Sequence, residues 1–241
     1  MAGMDKVCVV VGLGGDGIGD HVARKFAAEG YKVAMLARTK PNLDALQASI
    51  PNSRGFVADA TDPEQVRGVV TDVLDKMGGI DVLVYNVGVG VFKSFHDTTE
   101  HDLDIAWSSG PRGLFAFAKA VIPHFEAQGH GVIGVTGATA SWRGMPITCA
   151  FASAKFGVRA MCQALAREFG PKGIHVFHVI IDGLVGMPKS YERLPDKPRD
   201  DFLDAKDIAD AYFFVATQPK RSWTYELNLG AGARSMDMIS I

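Results

Sequence analysis

Long apolar runs, paired cysteines and an excess of charge are all missing from this sequence of 241 residues. No stretch approaches the roughly 18 apolar residues that a membrane-spanning helix needs, so we expect no membrane partner. A formal net charge of −2 provides no basic surface and argues against a nucleic-acid partner. The three cysteines form no CxxC pair. We therefore expect neither a disulfide framework nor a zinc site, but a reduced chain in the cytoplasm.

Two further absences exclude common kinds of active site. No GxSxG elbow is present, which removes the serine hydrolase interpretation. His175 and His178 lie three residues apart in one predicted strand, so they face opposite sides and cannot share a metal. Cys149 has no histidine placed to activate it and is interpreted as a small buried residue. We expect no metal site.

Short β-branched runs alternate with longer segments of helical period. Such alternation predicts an α/β fold, a single doubly wound Rossmann domain over residues 1–241, with a parallel seven-stranded sheet and helices on both faces. Pro111 is expected to bend a long helical region at about 101–125. The predicted strands are 6–11, 31–37, 55–58, 81–85, 132–136, 174–181 and 225–229; the other helices are 17–29, 41–49, 63–77, 150–169 and 205–216.

A glycine-rich segment follows the first predicted strand directly. Gly12, Gly14 and Gly17 form a GxGxxG pattern, and Ile18 and Gly19 open the next helix. Glycine lets the backbone approach a pyrophosphate closely, and the helix N-terminus supplies free amides. Between a first strand and a first helix, this pattern predicts a dinucleotide phosphate site.

The end of the second predicted strand has no carboxylate. An acid about 20 residues after the glycines binds the 2′-hydroxyl of NAD in such folds. This sequence has Arg38 there instead, and its guanidinium can pair with a 2′-phosphate. We therefore predict NADP(H) as the preferred cofactor, with NAD(H) possible. Asp16 opposes that phosphate if it points the same way, and Arg38 as a solvated strand-end charge remains the alternative.

The sequence resembles the short-chain dehydrogenase/reductase family over nearly its whole length. The family's GxxxGxG pattern ends here on Gly17 and Gly19, while Gly12 lies one residue too far upstream, which indicates an insertion in the loop.

The resemblance also implies cofactor contacts beyond the glycine segment. Asp59 matches the family's acid beside the adenine, and Ala60 follows it. Asn86 and Gly88 match the family's NNAG motif, in which Tyr85 replaces the first asparagine.

The catalytic positions of the family are where this sequence departs from the resemblance. The family's Tyr-x-x-x-Lys pair reads Phe151 to Lys155 here, and phenylalanine has no proton to give. The family's serine falls on Ala138, and its helix asparagine falls near Gly110. Lys155 alone is retained of the four, and in the family it also hydrogen-bonds the nicotinamide ribose; an ordinary helix-surface lysine is the alternative.

Segment 183–202 is predicted to be a mobile substrate loop because it is rich in glycine, proline and mixed charge. By resemblance, Gly183 is the glycine of the family's PG motif and a predicted cofactor contact. Asp182 replaces the proline of this motif, and Met187 replaces the following threonine. Tyr191 in this loop is a hypothetical substitute for the missing acid, with a surface aromatic as the alternative.

The resemblance further implies a homodimer or homotetramer. In the family, the helices that match 101–125 and 150–169 pair across a dimer. Trp107, Phe115 and Phe117 on the first of these are interpreted as core or subunit contacts.

The sequence therefore predicts an atypical NAD(P)(H)-dependent oxidoreductase that transfers hydride to or from a small organic molecule. The alternative is a catalytically inactive NADP(H)-binding sensor or assembly protein.

Overall fold

The structure is a computed structural model that describes residues 6–232. The strands, in chain order, are β1 (Val7–Val11), β2 (Lys32–Ala37), β3 (Ser53–Val57), β4 (Val82–Tyr85), β5 (Gly131–Thr136), β6 (Ile174–Asp182), β7 (Leu184–Gly186), β8 (Phe202–Asp204) and β9 (Glu226–Gly230). The α-helices are α1 (Ile18–Ala28), α2 (Lys40–Ser49), α3 (Pro63–Met77), α4 (Glu100–Trp107), α5 (Gly113–Gln128), α6 (Cys149–Phe169), α7 (Pro188–Arg193) and α8 (Ala205–Ala216). No helix among these described residues is long and apolar enough to cross a bilayer.

Seven of the strands form one parallel sheet in the order β3-β2-β1-β4-β5-β6-β9. The chain moves outward from β1 to β3, then crosses back to place β4 on the other side of β1. That reversal opens a crevice at the carboxyl ends of β1 and β4, where doubly wound sheets bind their ligands. The predicted fold class, a doubly wound α/β fold with a parallel seven-stranded sheet, is confirmed.

The central strands are buried on both faces because helices cover each side of the sheet. All five residues of β1 are buried, which agrees with their continuous apolar sequence. One apolar cluster joins the sheet to α3, α5 and α6, and a second joins it to α1, α2 and α8. The sheet is therefore held firmly, and its carboxyl edge is a rigid support for loops.

Helices α4 and α5 are joined by a π-helical turn, Ser108–Arg112, that contains Pro111. Proline cannot donate a backbone hydrogen bond, and a wider turn accommodates it without ending the helix. The buried Tyr85 hydroxyl donates to the carbonyl oxygen of Ser109 at 2.6 Å and fixes this turn to β4. The predicted disturbance at Pro111 is thus a local change of helix type.

Two expectations from the sequence need correction. Segment 183–202 includes the strand β7, which pairs in parallel with β8 at its end, and the sequence did not predict this strand pair. Cys149 is exposed at the first turn of α6, not buried. Of the aromatic residues predicted to be core or subunit contacts, Phe117 is fully buried in the core, while Trp107 and Phe115 are 47% and 54% exposed.

We predict that Tyr85→Phe lowers the free energy of unfolding by about 1 to 3 kcal/mol, because it leaves the buried carbonyl of Ser109 without its donor. Urea unfolding of the purified variant measures this. Tyr225→Phe is the matched control, since the Tyr225 side chain is 56% exposed. Equal, small effects of the two substitutions are incompatible with a structural role for the Tyr85 hydroxyl.

Candidate functional site

The crevice at the carboxyl ends of β1, β2 and β4 holds a cavity of about 390 Å³. It brings together seven of the residues predicted from the sequence to bind a cofactor. These are Gly12, Gly14, Arg38, Asp59, Ala60, Asn86 and Gly88. Arg38 is exposed at its outer end, where a charged group on a ligand can reach the guanidinium.

The turn after β1 is shaped by close backbone contacts. Gly12 has φ +92°, and a Cβ placed there would lie 2.7 Å from the carbonyl oxygen of Asn86. Only glycine fits this position. The predicted requirement for glycine at the start of the turn therefore has a specific physical cause.

A buried carboxylate fastens the rest of this turn. Asp20 is 2% exposed, and its two oxygens accept hydrogen bonds from the amides of Gly14 and Asp16, both at 2.7 Å. Sequence analysis missed Asp20. The signal that could have revealed it is an aspartate in the first turn of the helix that follows the glycine loop.

The remaining predicted residues of the turn lie outside the main cavity. The Asp16 carboxylate pairs with His21 at 3.4 Å and with Arg24 at 3.3 Å. The carboxylate therefore points toward α1, which carries both of these partners. Gly17 is covered by Met187, whose Cε lies 2.7 Å from the position of a Cβ at Gly17. The segment after β6 therefore packs directly on the glycine turn.

A chain of hydrogen bonds crosses the site from the glycine turn to α6. The Asn86 side chain donates to the carbonyl oxygen of Gly12 at 2.8 Å and accepts from the Thr136 hydroxyl at 2.8 Å. The Tyr212 hydroxyl meets that of Thr136 at 2.6 Å. Lys155 Nζ donates to the Thr136 carbonyl oxygen at 2.8 Å. Asn86 and Lys155 are thus held in fixed positions by the end of β5.

Lys155 is buried beside an aromatic ring. Its side chain is packed against Gly88, and Nζ lies 5.9 Å from the centre of the Phe151 ring, one helical turn earlier. Burial lowers the pKa of Lys155 to about 8. Lys155 is only 6% exposed, so its interpretation as a surface lysine is wrong. Within residues 6–232 its amine donates to the Thr136 carbonyl alone, which leaves hydrogen-bonding capacity for a ligand.

Ala138 follows β5 and begins a short 3-10 turn, Thr139–Ser141. Its amide donates to the buried Ser141 hydroxyl at 3.2 Å, which lies 3.5 Å from His178 Nε2. Desolvation lowers the pKa of His178 to about 4, so that this imidazole is neutral at physiological pH. The hydrogen bonds of Ser141 therefore stabilise the turn that follows β5.

One charged cluster at this edge was not predicted. Asp182, at the end of β6, accepts from the Thr139 hydroxyl at 2.6 Å and pairs with Arg143 at 3.4 Å. It immediately precedes Gly183, the predicted cofactor contact. Sequence analysis treated Asp182 only as a replaced proline, because the partners lie about 40 residues away in the chain.

Tyr191 is held within its own segment. Its ring packs on Phe202, with centroids 5.1 Å apart, and the Arg199 guanidinium lies 3.3 Å from the ring centre. The Tyr191 side chain is therefore packed against residues of its own segment. Further cavity residues that sequence analysis missed include Thr61, Ile105 and Ser108.

A cavity at the switch point of a doubly wound sheet defines a nucleotide-binding α/β protein of the Rossmann class. Residues 6–187 match the family described as short chain dehydrogenase. The chain therefore belongs to the short-chain dehydrogenase family of oxidoreductases.

Individual relatives agree with this assignment. A short-chain dehydrogenase/reductase of Armillaria gallica is 36% identical over 71% of this chain and 68% of its own. A 3-oxoacyl-[acyl-carrier-protein] reductase of Thermotoga maritima is 31% identical over 88% and 90% of the two chains. Among solved structures, a short-chain dehydrogenase from Rhodopseudomonas palustris has a TM-score of 0.80 and 33% identity over 93% of this chain and 97% of its own.

A structural neighbour with a bound cofactor is also similar. The alcohol dehydrogenase from Thermococcus sibiricus, complexed with 5-hydroxy-NADP, has a TM-score of 0.83 and 25% identity over 95% of this chain and 98% of its own. The cavity here fits such a dinucleotide on its own features, the crowded glycine turn and the exposed guanidinium of Arg38. The Lys155 amine lies against Gly88, one of the residues that line this cavity.

We predict that Asp20→Asn lowers the free energy of unfolding by about 1 to 2 kcal/mol, because an amide cannot accept from both loop amides as the carboxylate does. Chemical denaturation of the purified proteins measures this. Asp75→Asn, at an exposed position on α3, is the control. An Asp20→Asn protein as stable as that control contradicts the fastening role.

Proposed function

We propose that this protein is an NADP(H)-preferring short-chain oxidoreductase that transfers hydride without a tyrosine as proton donor. The observation that carries this proposal is a difference between the two sides of the site: the cofactor side matches the family, and the catalytic positions do not. One half has a shaped glycine turn, Arg38 and a buried Lys155; in the other half, Phe151 and Ala138 stand at the family's tyrosine and serine positions.

NADP(H) is supported by Arg38 at the open end of the cavity, and by the absence of a carboxylate at the end of β2. Asp16 pairs with Arg24 and His21, so the carboxylate is partly neutralised where it had been expected to oppose the 2′-phosphate. The predicted contacts Gly17, Ile18, Gly19 and Gly183 complete the proposed binding site.

The reaction proposed is reduction of an activated double bond or of an iminium ion. A reduced nicotinamide supplies hydride when bound. We propose that Phe151, Ala138 and Trp142, together with the 183–202 segment, face the substrate. None of these three side chains has an acidic proton near neutral pH. Lys155 Nζ donates to the Thr136 carbonyl oxygen, and we propose that solvent or the substrate, not this amine, provides any proton required, so that ordinary alcohols and ketones are poor substrates.

A second candidate is an NADP(H)-binding protein without catalysis, acting as a sensor or assembly partner. It is favoured by the same loss of hydroxyl groups at positions 138 and 151. We also propose a homodimer or homotetramer, supported by the exposed Trp107, Phe115 and Phe156 on α4, α5 and α6. We assign the protein to the cytoplasm, in keeping with its three free cysteines.

We predict that Arg38→Ala weakens NADPH binding by about 10- to 100-fold, the value of a hydrogen-bonded ion pair to phosphate, and leaves NADH binding unchanged. Titrations followed by nicotinamide fluorescence measure both. Arg221→Ala, at an exposed position remote from the cavity, serves as the control. Parallel losses for the two cofactors contradict the 2′-phosphate assignment.

We predict that the double variant Phe151→Tyr with Ala138→Ser gains NADPH-dependent ketone reduction, because a phenol one turn before Lys155 has a cation that lowers its pKa. A rise of about tenfold or more over the natural protein is expected from general acid catalysis. Phe214→Tyr, at an exposed position on α8, is the control. Efficient ketone reduction by the unchanged protein contradicts the proposed chemistry.

A further inference from the structure

Arg143 and Asp182 form an ion pair at the ligand edge of the sheet. Asp182 ends β6, and Arg143 follows the turn that leaves β5, the neighbouring strand. Arg143 Nη2 lies 3.4 Å from Asp182 Oδ1. The two side chains are only 25% and 10% exposed, so they are partly shielded from water. The pair therefore lies at the same carboxyl edge of the sheet as the nucleotide cavity.

Both members of the pair have unused hydrogen-bonding capacity. Asp182 Oδ1 accepts from Thr139 and Arg143, while Oδ2 accepts from no residue in 6–232. Arg143 uses Nη2 alone among these described residues, so Nη1 and Nε are available to a ligand. A guanidinium has five N–H donors, and the donors that Asp182 leaves unused can bind a carboxylate in a bidentate manner.

The segment that follows Arg143 in the chain carries apolar side chains, among them Ile147 and Phe151. The Phe92 and Phe151 rings have centroids 5.4 Å apart, and the amide of Lys93 donates to the carbonyl oxygen of Ile147 at 2.9 Å. This bond joins the two segments that flank the site. Ile147 is 49% exposed and Phe92 is 51% exposed, so these two segments present apolar surface to solvent.

We infer that the substrate is a 2-iminium carboxylate, a small apolar molecule whose positive nitrogen and negative carboxylate lie side by side. This inference rests on the proposed function and specifies its substrate class. A simple anion gains at Arg143 and is repelled by Asp182. A zwitterion gains at both, with its carboxylate on Arg143 and its iminium N–H on Asp182 Oδ2.

This substrate class also accounts for the missing acid. Hydride from a reduced nicotinamide forms a C–H bond at the iminium carbon, and the π pair of the C=N bond becomes the lone pair of the nitrogen. The nicotinamide is oxidised and the iminium is reduced to an amino acid. The nitrogen already has its proton, so neither a phenol at position 151 nor a hydroxyl at position 138 is needed.

The test compares NADPH-dependent reduction of 1-pyrroline-2-carboxylate with that of 2-methyl-1-pyrroline at mildly acidic pH. The two probes differ only by carboxylate against methyl. We expect kcat/KM to favour the carboxylate by about 10- to 100-fold, the value of a hydrogen bond between charged groups. Arg143→Gln is expected to remove this preference, and Arg221→Gln to retain it.

A second readout does not depend on turnover. Calorimetric binding of proline, the product, to the complex with oxidised cofactor is expected in the natural protein and lost in Arg143→Gln. Equal reduction of both imines, or a preference that survives Arg143→Gln, overturns this inference and leaves the proposed function standing. Reduction of neither imine by a protein that binds NADPH overturns this inference, and failure to reduce activated alkenes as well overturns the proposed function.

Discussion

The hydrogen bonds of Asn86 and Thr136 hold the two halves of the site in one geometry. Asn86 fixes the carbonyl of Gly12, Thr136 fixes the Asn86 side chain, and the Thr136 carbonyl receives Lys155. Each group is at least partly buried, so leaving one partner unpaired carries a desolvation cost of about 1 to 3 kcal/mol. The position of the lysine is therefore set by the same strand end that shapes the nucleotide turn.

At the end of this chain of contacts, the protein shares one residue with its family and differs from it at another. The lysine amine is retained and buried, while the side chain one turn before it is an aromatic ring without a hydroxyl. We propose that charge at the substrate side comes instead from the ion pair of Arg143 and Asp182. A site of this kind orients a charged substrate but has no phenol to give a proton, and our proposals follow from that difference.

Much of the fold could be predicted because its signals are local. Continuous apolar strands and amphipathic helices occur in strict alternation, and α3 begins and ends where predicted, at Pro63 and Met77. Arg38, Asp59 and Asn86 follow predicted strands, so their meeting in one cavity follows from the parallel sheet.

The remaining features depend on contacts between distant parts of the chain. Asp182 meets Thr139 across neighbouring strands, and nothing in either local sequence indicates the contact. The exposure of Cys149 depends on how α6 begins, not on its apolar neighbours. The pairing of β7 with β8 joins two segments of three residues each, too short for a periodic pattern to indicate a strand.

Hydride transfer without a proton donor is tested most directly by isotope transfer in the natural protein. Deuterated NADPH is mixed with the protein and either a cyclic iminium or the ketone of the same ring, and each product is analysed by mass spectrometry. We predict deuterium at the former iminium carbon and none in an alcohol product. Deuterium delivered to the ketone at a comparable rate contradicts this account, because it requires an acid that the site is proposed to lack.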